Sequence, residues 1–171
     1  DAEIFRARIF AEALFPIGGT FSQKENNDLV IALQAFMKRS SQDDVSSLLQ
    51  FLKTYPESRW RGSLMLNLGL VYRKTGWYSK ALSAFEDAWS LLENNKSGHA
   101  GSLANHTAGE LAEMLCGIGS QQQLEQLLEE IQYREVCGSA SEKITTARKG
   151  LWVMRNKTDE AFHCGPTALN C

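Results

Sequence analysis

Apolar residues recur at helical rather than alternating spacing along most of this chain, and the clearest stretch is "GSLMLNLGLVYRKTGWYSKALSAFEDAWSLLENN", residues 62 to 95. In its first half Met65, Leu68, Gly69 and Tyr72 fall at helical spacing; in its second half Ala81, Leu82, Phe85, Ala88, Trp89 and Leu92 share one face. Gly76 interrupts between them. The pattern predicts a helix, a tight turn and a second helix.

The same pattern returns. A shift of 43 residues lays "LAEMLCGIGSQQQLEQLLEEI" over "LGLVYRKTGWYSKALSAFEDA", so that Leu111, Ala112, Leu115, Gly119, Leu124, Leu128 and Ile131 fall on Leu68, Gly69, Tyr72, Gly76, Ala81, Phe85 and Ala88. Upstream, Leu29, Ile31, Leu33 and Phe36 precede a Ser-Ser-Gln-Asp break. Val45, Leu48, Leu49, Phe51 and Leu52 then run to a closing Tyr55-Pro56, where proline stops the helix. A last unit opens at "SASEKITTARKGLWVMRN", with Ser141 as candidate cap and Ile144, Ala147, Leu151 and Trp152 at helical spacing. Residues 1 to 22 precede the array, and "FPIGGTFS" reads as a loop.

The order Leu68-Gly69, Tyr72, Gly76, Tyr78, Ala81, Phe85 and Ala88 resembles the tetratricopeptide repeat, a helix-turn-helix unit of 34 residues. Small Gly69 and Ala81 would let two helices approach closely, with Tyr72 and Phe85 filling the space beside them. Met65 and Glu93 depart from the family's tryptophan and closing proline. The resemblance implies an all-α, tetratricopeptide-like solenoid of about four helix pairs over residues 1–158, with repeats near 25–58, 62–95, 100–138 and 141–158. It also implies a concave groove lined by first helices, the usual seat of a bound peptide or partner helix. Carried onto this chain, that groove would show Ser63, Leu66, Leu70, Arg73 and Lys74 in the best repeat, and His106, Gly109 and Glu113 in the next. The expected partner is a protein or peptide, or a further domain of the same parent.

Composition narrows the partners. Eighteen basic against twenty acidic residues give a net charge of -2, without the basic stripe that nucleic acid requires. Apolar runs are too short to cross a bilayer. The chain opens Asp-Ala-Glu-Ile-Phe, with neither an initiator Met nor an apolar leader, and is read as part of a longer bacterial protein, cytoplasmic or exported after leader removal. His106 and Glu110 stand four apart, yet no third ligand lies at a fixed spacing, so neither metal nor cofactor is implied. Cys116 and Cys137 either bridge or stand as thiols. The sequons at Asn95, Asn105 and Asn156 carry weight only in a secreted eukaryotic protein.

The closing "FHCGPTALNC" is the one stretch with nucleophile chemistry. A thiol at a helix start is acidified by unpaired backbone N–H groups, and Pro166 suits a first helical turn after Cys164. Cys164-Gly165-Pro166-Thr167-Ala168-Leu169 resembles the nucleophile segment of the papain-like peptidases that remove double-glycine leaders. That resemblance implies that residues 159–171 begin a cysteine-peptidase domain with Cys164 as nucleophile. The competing reading is a capped final helix with Cys164 as a packed thiol. The function expected of these 171 residues is protein interaction or scaffolding, with peptidase activity as the alternative for a longer parent.

Overall fold

The structure, a computed structural model, describes residues 9–157. Among them every helix or strand assigned is an α-helix: α1 Gln23–Met37, α2 Ser46–Thr54, α3 Arg61–Lys74, α4 Tyr78–Leu92, α5 Gly98–Gly117, α6 Gln121–Glu130 and α7 Ser139–Asn156. The described residues are all-α, in keeping with their periodicity. It divides into two compact units, Asp1–Ala104 and Asn105–Cys171, and the division falls inside α5. The boundary expected at 158/159 lies outside the described residues.

In the first unit α1 starts where the Ser22 hydroxyl accepts the Glu25 N–H at 3.3 Å, a side-chain cap for one of the unpaired donors of the first turn. Leu29, Ala32, Leu33 and Phe36 of α1 and Leu48, Phe51 and Leu52 of α2 are buried. Asp44 accepts the Ser46 N–H at 3.0 Å as α2 begins. Ile31 and Leu49, apolar positions in the sequence pattern, are instead exposed. Ile31 is two residues from both Leu29 and Leu33 and so turns off their face, and it lines a cavity of about 310 Å³ beside Ala35, Phe51 and Tyr55. Leu49 keeps helical spacing with Val45 and Leu52 yet lies outside the buried stripe.

Polar side chains lock the start of α1 to the entrance of α3. Trp60 is fully buried, and its indole N–H donates to Asn26 Oδ1 at 2.9 Å. Ser58 receives the Trp60 backbone N–H at 3.1 Å and donates to Glu25 Oε1 at 2.5 Å. Each buried polar group therefore has a partner, without which burial would cost about 1–3 kcal/mol apiece.

α3 and α4 approach each other closely. A Cβ built on Gly69 would lie 2.4 and 2.5 Å from Cε1 and Cδ1 of Phe85, so only glycine admits the ring. Leu66, Asn67, Leu68 and Gly69 are all buried. Four successive residues at about 100° each circle the helix, so α3 is covered on every side, not on one stripe. The pair turns at Gly76, whose φ of 83° is in the left-handed region that glycine adopts without strain.

That turn recurs with the 43-residue period. Trp77 N–H bonds to Tyr72 O at 2.8 Å, and Ser120 N–H to Leu115 O at 3.0 Å; Gly76 N–H meets Arg73 O, and Gly119 N–H meets Cys116 O. Gly119 has φ 73°. The six-to-one bond over a left-handed glycine is a helix-terminating motif, and its repetition at the same offset shows that the apolar repeat is also a repeat of backbone geometry.

In the second unit, Leu111, Ala112 and Leu115 of α5, Leu124, Leu127 and Leu128 of α6, and Ile144, Ala147 and Leu151 of α7 are buried. Gly109 lies against α7, where an added Cβ would be 3.0 Å from Ala140 Cα. Gly150 lies against Cys116, whose sulfur would be struck by any β-carbon there. Cys116 and Cys137 are not joined to each other. The final unit contributes one helix among the described residues, not a pair, and α7 starts from Gly138, which places Ser141 in its first turn instead of at the cap.

Candidate functional site

Residues 9–17, read from the sequence only as chain preceding the array, form a non-helical strap along α3. Asn67 takes the Glu12 N–H on Oδ1 at 3.1 Å and returns an Nδ2 hydrogen bond to Glu12 O at 3.1 Å. One turn earlier, Ser63 Oγ accepts the Phe15 N–H at 3.3 Å and donates toward Phe15 O at 3.0 Å. Ile17 N–H closes the series on Arg59 O at 2.7 Å. As the strap number rises the α3 number falls, so the strap runs antiparallel to the helix.

Both helix residues grip main chain only. A carboxamide presents a donor and an acceptor side by side, the complement of one residue's N–H and C=O, and a hydroxyl can do the same. Asn67 also bonds Ser63 O at 2.9 Å, which fixes its orientation. Side chains complete the seat: Leu14 is buried, the Phe10 ring lies 5.0 Å from that of Phe36, and Phe15 stacks on His99 at 4.4 Å.

Beside the strap is a cavity of about 290 Å³, with Phe10, Phe36, Arg39, Leu70 and Lys74 in its wall. Arg39 Cζ lies over the Phe36 ring, 3.7 Å from its centroid, and Nη1 donates to Phe36 O at 2.7 Å. Its Nε is buried with no hydrogen-bond partner among the described residues.

The groove residues expected from the sequence thus separate. Leu70 and Lys74 come together at this cavity, and Arg73 is half-buried on the same last turn of α3. Leu66 is fully buried, a correction to its expected place on an open face: α3 carries packing on both sides, which one apolar stripe does not foretell. In the second unit Gly109 is covered by α7. His106 Nε2 lies 3.0 Å from Glu110 Oε1. Lys143 reaches across from α7 to Glu110 Oε1 at 2.5 Å and to Glu113 Oε2 at 3.0 Å.

The 43-residue offset sets His106 on Ser63 and Glu110 on Asn67. The buried polar residue on the corresponding turn meets different partners: Asn67 the strap's backbone, and Glu110, through Oε1, a lysine and a histidine. Glu113 is thereby an ion-pair partner of Lys143 as well as an exposed residue. Among the described residues no three His, Cys, Asp or Glu side chains are placed to share an ion, and no helix is long and apolar enough to cross a membrane. Cys164, the sequence's candidate nucleophile, lies outside the described residues.

Sequence reasoning missed the strap. Its signal was Asn67 in the run Leu64-Met65-Leu66-Asn67-Leu68: an amide among leucines must find hydrogen-bond partners when buried. No protein-family model, curated protein or solved structure matches this chain.

Proposed function

We propose that the chain is a protein-interaction or scaffolding module built from tetratricopeptide-like helix pairs, and that the α3 face is where it holds polypeptide. One observation carries the reading: Ser63 and Asn67 already hold a non-helical polypeptide segment by its backbone. The matching glycine turns at Gly76 and Gly119 support the repeat architecture, as does the Gly69–Phe85 contact. Leu70, Arg73 and Lys74 form the accessible end of the face.

The test is an array of synthetic peptides of varied sequence, probed with the intact chain and with a Leu70→Glu, Arg73→Glu double variant. Array signals that fall at least fivefold in the variant, with helical circular dichroism unchanged, are the expected outcome. Signals that persist unaltered remove the α3 face from the function. The peptidase reading for a longer parent rests on the Cys164 to Leu169 resemblance, and loss of peptide hydrolysis in Cys164→Ser would be its signature.

A further inference from the structure

We infer that residues 9–17 are a replaceable occupant of the α3 clamp, and that the clamp takes in their place a non-helical apolar segment of a partner protein, one carrying an aromatic residue with an acidic neighbour. The inference rests on the interaction-module reading above and names its partner and its control.

Three features of the first unit support exchange. The hydrogen bonds from Ser63 and Asn67 go to N–H and C=O groups, which any non-proline residue of another chain supplies equally. Selectivity is left to the rings, with Phe10 on Phe36 and Phe15 on His99. The strap joins α1 through Gly18 and Gly19, at φ 66° and 63°, and a β-carbon on Gly18 would meet nothing within 4 Å. Two successive glycines with left-handed freedom make a swivel, so the strap can leave without disturbing α1.

The choice of partner follows from the cavity. Its volume of about 290 Å³ lies alongside Phe10 and leaves room for a larger aromatic side chain. Arg39 and Lys74 make its wall cationic, with no acidic residue among the described residues that line it. A carboxylate beside the partner's aromatic residue would meet this cationic wall and pair with Arg39 or Lys74 in a charge-assisted bond, stronger than a neutral one. The strap has no acidic residue adjoining Phe10, since Ile9 and Ala11 flank it. A partner with Asp or Glu there would therefore outcompete it.

The probe is a fluorescent nonapeptide, Ile-Phe-Ala-Glu-Ala-Leu-Phe-Pro-Ile, and a second with Asp in place of the first Ala. Both are titrated by anisotropy into the intact chain and into a Phe10→Ala, Phe15→Ala variant whose own strap is weakened. A tethered strap competes at an effective concentration on the order of millimolar, so the variant should bind the nonapeptide roughly tenfold tighter or more. The Asp peptide should bind the parent several-fold better than the plain one. Adding Asn67→Ala should abolish the gain, as should N-methylation of the peptide's Glu nitrogen. In the parent, saturating Asp peptide should accelerate hydrogen exchange at the Glu12 and Phe15 amides.

Equal affinity of parent and strap variant would overturn the exchange, and so would peptide binding that leaves the Glu12 and Phe15 amides as protected as before. If array peptides still bind through Leu70 and Arg73 in that case, the interaction reading stands and only the exchange is lost. If no array peptide binds through α3, the interaction reading itself fails.

Discussion

Replacing Gly69 by alanine tests the helix pair on which the α3 face depends. The new methyl carbon would lie 2.4 Å from Phe85 Cε1 and 2.5 Å from Cδ1, whereas carbon atoms in good contact sit about 3.5–4.0 Å apart. The ring must withdraw by more than about 1 Å, and it is fully buried in a packed interior. Overpacking of this kind costs about 1–3 kcal/mol. Alanine recovers about 1 kcal/mol of helix propensity over glycine, so the net loss should be about 0–2 kcal/mol. Urea unfolding followed by circular dichroism measures it, with the m-value checked for constancy. Two further variants sharpen the result. Phe85→Leu should relieve the clash, making the double variant more stable than the two single losses add up to, by about 1 kcal/mol. Gly117→Ala, at a helix position where an added β-carbon meets nothing within 4 Å, should be neutral or stabilising. A Gly69→Ala protein as stable as its parent, with no coupling to Phe85, would refute the close approach of α3 and α4.

Three other outcomes follow from the geometry. Lys143→Met leaves the buried Glu110 carboxylate with one charged neighbour fewer, and should destabilise the second unit by about 3 kcal/mol. Combining it with Glu110→Leu in thermal unfolding should recover much of that loss. Trp60→Phe removes the buried indole hydrogen bond to Asn26 Oδ1 and should cost about 1 kcal/mol by chemical denaturation. Burial holds the Tyr72 phenol above its ordinary value of 10.0. A raised pKa contributes stability in full below the unfolded value and loses it as pH rises through the folded one. Stability should therefore fall above pH 10, and fall less in Tyr72→Phe, as read by denaturant midpoints in alkaline buffers.

Helix positions were legible because the signals are local. The stretch 62–95 resolves into Arg61–Lys74 and Tyr78–Leu92, since period and an interrupting glycine act within a few residues. The close approach at Gly69 was legible, read as small Gly69 and Ala81 with Phe85 filling the space beside them; the structure sets the Phe85 ring directly on Gly69, a pairing that helical spacing alone does not specify. The burial of Leu66 was not legible: the periodic face says which side of α3 meets α4, and is silent about what a distant segment lays on the other side. Ile31 shows the converse, an apolar residue that packing leaves in a cavity wall.

The amino-acid sequence by itself determined an all-helical chain, the 43-residue internal offset and the glycine turns at Gly76 and Gly119, because backbone period and left-handed turns are dictated by neighbours in sequence. The tertiary structure alone decided what the polar residues on the helix faces do. Asn67 meets Glu12 across 55 residues of chain, and Glu110 meets Lys143 across 33. Hydrogen bonds over such separations depend on which surfaces are brought together, and any number of segments offers the same N–H and C=O. That is also why the α3 clamp, gripping backbone alone, has no sequence motif by which to recognise it.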